Sequence, residues 1–259
     1  MASDLPSPKP VSSAQSEPIR IVPLYLPGEV EKVVSPAQLV YNNGPLLSAV
    51  QVFIVFWGAA WQQSPLSDTV QSLNSFFDFI PTSPLMDQLA EYSTMGKKIG
   101  YGSRIGTTTI TTPSLGSSVT DSDIQQMLNN AIANNSAFPQ PTPNTLYFVY
   151  LPSGVVVSQG GESSCQSFCG YHNDINGQTF YAVMPYPDCA GCTSKLAALD
   201  SLTSTSSHEL CEAITDPVPG QGWYDQSNGE IGDICAWQTK QVGNYTVQKE
   251  WSNSSNACI

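Results

Sequence analysis

The sequence predicts an α+β fold, in which a twisted mixed sheet packs on one long helix and a loop-rich C-terminal part is tied by disulfides. Three observations predict it. Near-continuous apolar runs at 49–57 and 145–151 have the length and β-branched content of buried strands. Apolar residues recur at helical spacing in 65–80 and 122–134, and again between 196 and 214. Six of the seven cysteines sit in loop-like sequence, as disulfide-braced segments do.

Along the chain, residues 1–40 read as an extended Pro-rich arm, either a disordered leader or a strap over a single domain at 41–259. The run 49–57 is a buried strand ended by Gly58. Leu66, Val70, Leu73, Phe77 and Ile80 mark a helix over 65–80, and 85–92 a shorter helical patch. The Thr-rich stretch 104–110 is strand-like. A helix over 122–134 is capped by Asp121 or Thr120 and buries Ile124, Met127, Leu128 and Ile132. The run 145–151 is a second buried strand. Residues 179–185 alternate and end in proline, as an edge strand does. Leu196, Leu199, Leu202 and then 208–214 form a long helix stopped at Asp216-Pro217. Beyond Gly220 the chain reads as loops and short strands.

Nine Lys/Arg against 21 Asp/Glu give a formal charge of −12. That excludes nucleic acid and anionic membrane as partners, since both demand a basic face. No apolar run reaches the roughly 18 residues a membrane span needs. A surface poor in charge and rich in Ser, Thr, Asn and Gln is expected of a secreted, extracellular protein. Residues 1–20 lack the apolar core of a signal peptide, so a leader would already be gone. Sequons stand at Asn134, Asn244 and Asn253. Three disulfides and one buried thiol, Cys211, is the simplest cysteine arrangement. Cys235 with Cys258 would tie down the C-terminus, and Cys165, Cys169, Cys189 and Cys192 allow three pairings. The rival is a zinc site built from those four cysteines.

The chemistry concentrates in Ser207-His208-Glu209-Leu210-Cys211-Glu212-Ala213. On a helix, residues i and i+4 share a face, so His208 and Glu212 can grip one cation. Glu209 then stands where a general base would take a proton from the cation's water, as in HExxH metalloproteases. A second imidazole ligand is nearly excluded, because the chain holds only His172 and His208. A third ligand is sought in the acidic loop 223–235. Asp233 is preferred, since a disulfide at Cys235 would stiffen its loop. Glu230 is either the ligand itself or an acceptor behind it. Asp216 is expected to end the helix. Asp225 is expected to hold a turn or, with Glu230, a Ca2+ ion.

The pattern predicts peptide-bond hydrolysis with Zn2+ held by His208, Glu212 and Asp233 and with Glu209 as base. His172 would stabilise the oxyanion or serve as a structural hydrogen-bonding histidine; Tyr224 and Tyr245 are alternatives for the first role. Carboxylate ligands resist protonation to lower pH than imidazoles, so activity in acid is expected. Cys211 faces another side of the helix and is read as core. The partner is a protein or peptide substrate, and a monomer is expected. A calcium-stabilised structural protein using Asp225, Glu230 and Asp233 is the contrasting possibility; it would have little use for His208.

The order of strands and helices, with the motif on a long helix after an edge strand, resembles the upper half of a zincin protease, whose edge strand lines the substrate cleft. The segments 208–217, 223–225 and 230–235 resemble bacterial and fungal secreted proteins carrying His-Glu-x-x-Glu-Ala-x-Thr-Asp-Pro, then Trp-Tyr-Asp and Glu-x-x-Asp-x-Cys. Through 169–172 and 189–192 the chain is also similar to the plant EXORDIUM (phosphate-induced) proteins, which lack the His-Glu-x-x-Glu triad. The resemblance spans roughly 45–258. It implies either a zinc endopeptidase or an extracellular binding or signalling module on the same scaffold.

Overall fold

The computed structural model describes residues 21–26 and 36–259; the remainder of the expected arm, 1–20 and 27–35, lies outside the described residues. The first half of the chain forms β1 (Ile21–Pro23), β2 (Val40–Tyr41), β3 (Gln51–Trp57), α1 (Leu66–Phe79) and α2 (Pro84–Leu89). There follow β4 (Ser103–Ile110), β5 (Ser118–Thr120), α3 (Asp121–Asn134) and β6 (Thr145–Tyr150). The second half carries β7 (Val156–Gln159), β8 (Glu162–Ser163), β9 (Phe168–Ile175), β10 (Thr179–Met184), α4 (Ala190–Thr193) and α5 (Ala198–Thr215). Short strands complete it: β11 (Trp223–Tyr224), β12 (Thr239–Val242), β13 (Tyr245–Gln248), β14 (Trp251–Ser252) and β15 (Ala257–Cys258).

The α+β class holds. Six strands form the central sheet in the order β1–β9–β10–β6–β3–β4. β10, β6, β3 and β4 run parallel, β9 is antiparallel to β10, and β1 is antiparallel to β9. The apolar runs read from the sequence are continuous because both faces of the sheet are covered. In β3, Val52, Ile54 and Phe56 join a core with Phe76 and Phe77 of α1 and Leu210 and Ile214 of α5. The alternate residues Phe53, Val55 and Trp57 face Ile124, Met127 and Leu128 of α3.

Three readings are corrected. Residues 179–185 are not an edge strand: β10 is buried along its whole length between β9 and β6. Pro185 falls just past the last strand residue and so removes no ladder hydrogen bond. Nor are six cysteines in loops, since Cys169 lies in β9, Cys192 in α4 and Cys258 in β15. The cysteines form the pairs Cys165–Cys189, Cys169–Cys192 and Cys235–Cys258, which leaves Cys211 as a buried free thiol. With all four sulfurs bonded in pairs, the four-cysteine zinc site is overturned.

Thr120 is the cap of α3. Its hydroxyl accepts from the Asp123 amide at 3.2 Å, and the Asp123 carboxylate accepts from the Thr120 amide at 2.8 Å. α5 has no side-chain cap and is buried on all sides from Ser201 to Thr215. Its hydroxyls are spent inside the fold. Thr203 donates to the Thr246 carbonyl at 2.7 Å, Ser207 Oγ accepts from the Gln248 amide at 2.9 Å, and Ser206 meets the Tyr150 hydroxyl at 2.6 Å. These small side chains let β9 and β10 approach one side of the helix and the β12–β13 hairpin another. Among the sequons, Asn134 and Asn244 are exposed. Asn253 is built into the structure, accepting from the Leu39 amide and donating to the Leu39 carbonyl. Among the described residues no helix is long and apolar enough to cross a membrane.

Candidate metal centre

α5 supplies His208, Glu209 and Glu212, all fully buried. One helical turn brings His208 Nε2 to 2.8 Å from Glu212 Oε1. The two atoms are close without hydrogen-bond alignment, and both nitrogens of His208 lack a hydrogen-bond partner. Asp233 enters from the 3-10 turn Asp233–Cys235, which Cys235–Cys258 fastens to β15. Its Oδ1 lies 3.9 Å from His208 Nε2 and is likewise unpartnered. Its Oδ2 accepts from the Glu230 amide at 2.9 Å, and its own amide donates to Glu212 Oε1 at 3.2 Å. One ligand atom each from His208, Glu212 and Asp233 therefore falls within a 4.8 Å span.

β9 brings His172 to the other side of Glu212. Its Nδ1 lies 3.1 Å from Glu209 Oε2 and 3.4 Å from Glu212 Oε2. Its Nε2 faces the Asp216 carbonyl at 3.1 Å and Glu230 Oε1 at 3.6 Å. A carbonyl only accepts, so Nε2 carries a proton. Burial opposes a charge on His172, but the hydrogen bonds and charges of Glu209 and Glu212 outweigh it and push its pKa up to about 10. The raised pKa favours the doubly protonated ring, in which Nδ1 donates to Glu209. His172, Glu209 and Glu212 are a second convergent triad, sharing Glu212 with the first.

The other groups divide by surroundings. Burial raises Glu209 to about 7 against the pull of the His172 hydrogen bond. Burial also works against ionised Glu212, yet the charge on His208 and the hydrogen bond of His172 hold it down at about 2. Burial and the nearby Glu212 carboxylate drive Glu230 and Asp233 well above the ordinary carboxylate range. For His208, burial lowers the pKa and Glu212 raises it more, so the imidazole is more basic than usual.

The donor set fits a cation. His208 Nε2, Asp233 Oδ1 and both oxygens of Glu230 are buried without hydrogen-bond partners, an arrangement folded proteins avoid unless another partner is present. Four carboxyl groups, of Glu209, Glu212, Glu230 and Asp233, are buried together with only two imidazoles, and ionising all four would leave them short of positive charge. A divalent cation is the simplest counter-charge, because buried unpaired charge is costly.

His172, His208, Glu209, Glu212, Glu230 and Asp233 are thus gathered in one place. Asp216 is not a ligand: its carboxylate accepts from the amides of Gly220, Gln221 and Gly222. Asp225 holds a turn, accepting from the amides of Gln38, Ser227 and Asn228. Tyr245 packs its ring on Phe76 and Phe79. Cys211 joins the apolar core.

Sequence reasoning missed two glycines. A Cβ at Gly232 would lie 2.8 Å from His208 Cγ and Nδ1 and 2.9 Å from Glu212 Oε1, so glycine lets the loop close over both side chains. At Gly170 of β9 it would lie 2.7 Å from Thr205 Cγ2 and 3.3 Å from Glu209 Oε1. The Gly-Asp pair at 232–233 was the one available signal. No protein-family model matches this chain, and no curated protein matches it.

Proposed function

We propose that the chain is a secreted zinc endopeptidase of zincin-like fold and HExxE type, with the ion held by His208, Glu212 and Asp233. One observation carries it: those three side chains converge, with His208 Nε2 and Asp233 Oδ1 left without hydrogen-bond partners, beside a carboxylate–imidazole pair, Glu209 and His172. One imidazole with two carboxylates suits zinc, whereas calcium takes about six to eight oxygens and gains little from His208. The three disulfides fit an oxidising, extracellular setting. The buried motif helix under a mixed sheet supports the likeness to secreted HExxE proteins.

A zinc ion in such a site supplies Lewis acidity and a water acidic enough to lose its proton near neutral pH. Glu209, raised to about 7, would exchange a proton near neutral pH and is the residue placed to act as general base. His172 orients Glu209 through Nδ1–H, and its Nε2–H is taken by the Asp216 carbonyl, which favours its structural role over the oxyanion role. Glu230 stands behind His172, with Oε1 3.6 Å from Nε2.

The test is metal content by mass spectrometry on wild type, His208→Ala and Glu209→Gln, with casein hydrolysis alongside. The expected result is one zinc per wild-type chain, none in His208→Ala, and zinc without activity in Glu209→Gln. Protein that stays zinc-free after incubation with zinc sinks the proposal. The closure of the cluster favours a second reading, a structural ion in an extracellular binding protein. Zinc present with no hydrolysis in any variant would select it.

A further inference from the structure

The metal cluster has almost no solvent exposure, and part of what closes it is a strand. β1 lies on the outer edge of β9, paired antiparallel with Ile21 opposite Tyr171, Val22 opposite Gly170 and Pro23 opposite Phe168. Gly170 is the residue that approaches Glu209, and His172 lies two positions further along. β1 therefore runs beside the stretch of β9 that carries His172 and approaches the proposed base, Glu209 of α5.

The other walls come from elsewhere. β1 packs against α5 and the 3-10 turn of Asp233. Trp237 Nε1 donates to the Pro23 carbonyl at 3.0 Å, and its ring meets Tyr25 edge-on at 5.9 Å. The Tyr25 amide donates to the Gly191 carbonyl at 2.7 Å, while Leu24 sits where a Cβ on Gly191 would come within 3.1 Å. A strand-wide cleft is thus bounded by β9, α4, α5 and residues 233–237. Its grip is largely on main chain, and Val22, 1% exposed, fills one apolar pocket with Cys169 and Cys192. Added strands are recognised in this way, with ladder bonds giving affinity and a side-chain pocket giving selectivity.

We infer that this cleft is the seat of an extended peptide substrate with a small branched apolar residue over Gly170, and that residues 21–25 occupy it and keep the site latent. The seat stands on its own contacts; calling its occupant a substrate mimic rests on the peptidase reading. A tethered segment acts at an effective concentration of about millimolar, so the wild-type chain should mask the seat from a peptide in solution.

The experiment uses the full chain, as wild type and Val22→Asp, loaded with zinc. The probe is a fluorescein-labelled peptide of residues 21–26, Ile-Val-Pro-Leu-Tyr-Leu, read by anisotropy, with zinc content and casein hydrolysis measured on the same samples. Val22→Asp should bind the probe at least about tenfold tighter than wild type, keep its zinc and hydrolyse casein several-fold faster. A probe with Asp in place of Val should not compete. Tyr25→Ala, which loses only the contact to Trp237, is the milder variant should Val22→Asp fail to fold, and it should give an intermediate gain. Folded, zinc-loaded variants that bind the probe no better than wild type overturn the seat, whatever the hydrolysis shows. Tighter probe binding without hydrolysis keeps the seat and removes the peptidase reading.

Discussion

α3 and α5 cover opposite faces of one sheet and are held in place by opposite means. α3 is amphipathic: Ile124, Met127 and Leu128 are buried, Ser122, Gln126, Asn129 and Asn130 face water, and a capping box fixes its start. α5 has no side-chain cap, a run of Ser and Thr with modest helix propensity, and burial on every side. Local sequence accounts for the first. The second exists because β9, β10 and the β12–β13 hairpin enclose it, and because its buried acidic residues meet imidazoles and, on our reading, a cation. The helix carrying the candidate metal ligands is here made by its surroundings, which lets it hold groups that would destabilise a surface helix.

The sharpest way to break that contrast is Glu212→Gln. Glu212 belongs to both convergent triads, with Oε1 toward His208 and Oε2 toward His172. Zinc affinity should fall by more than the roughly 10–100-fold seen when a partner behind a ligand is lost. Breaking a buried ion pair should also lower stability by about 3–5 kcal/mol. A chelator competition titration and a urea melt measure the two. Retained zinc would move the site to ligands other than these triads.

Gly232→Ala comes next and touches no ligand atom chemically. The added methyl would sit 2.8 Å from the His208 ring, so the turn carrying Asp233 must move outward. Overpacking of this kind typically costs about 1–3 kcal/mol, and the displacement of Asp233 should weaken zinc binding about tenfold or more. The same substitution at Gly154, where a Cβ meets nothing within 4 Å, is the control for local packing, although its positive φ adds some strain of its own. Equal zinc affinity in the two variants would mean that Gly232 does not set the ligand geometry.

Legibility in the sequence follows the same division. β3 and β6 were readable because each buries both faces, and α3 because its cap and stripe are local. β9 was not. Gly170, Asn173 and Asp174 disfavour a strand, and only pairing with β1 and β10 makes it one. The pairing of His172 with Glu209 joins residues 37 apart in sequence that no spacing rule connects. His208, Glu212 and Asp233 were legible as residue types that zinc favours, on a helix and on a stiffened loop. That Asp216 and Asp225 are consumed by backbone amides could be seen only once the loops had closed.

Acid separates the two helices more gently. A cation competes with protons for its ligands, and the carboxylates around His208 make that imidazole more basic than usual. Zinc should therefore begin to leave below neutral pH, and the pH at which it leaves would set the lower limit of any activity in acid. The cap of α3 behaves differently. Hydrogen bonds from Thr120 outweigh burial and hold Asp123 below its ordinary value. A carboxylate lowered on folding contributes stability above its unfolded pKa, roughly 3.9, and loses it as pH falls through the lower folded value. Between pH 7 and 4, zinc loss and faster amide exchange in α5 should occur while α3 stays protected. Hydrogen exchange at several pH values measures this, and α3 opening first would reverse the assignment.

The smallest effect is expected from Thr120→Ala. It removes the hydroxyl that accepts from the Asp123 amide and donates to the Asp123 carboxylate, and should cost about 1 kcal/mol. Because α3 touches the sheet only through the face opposite α5, zinc content and zinc affinity should stay at wild-type values. That separation is what makes the small change informative: sites far apart without shared partners add independently. If Thr120→Ala altered zinc affinity, the two faces of the sheet would be coupled through β6 and β10, and the division between a locally specified helix and an enclosed one would have to be abandoned.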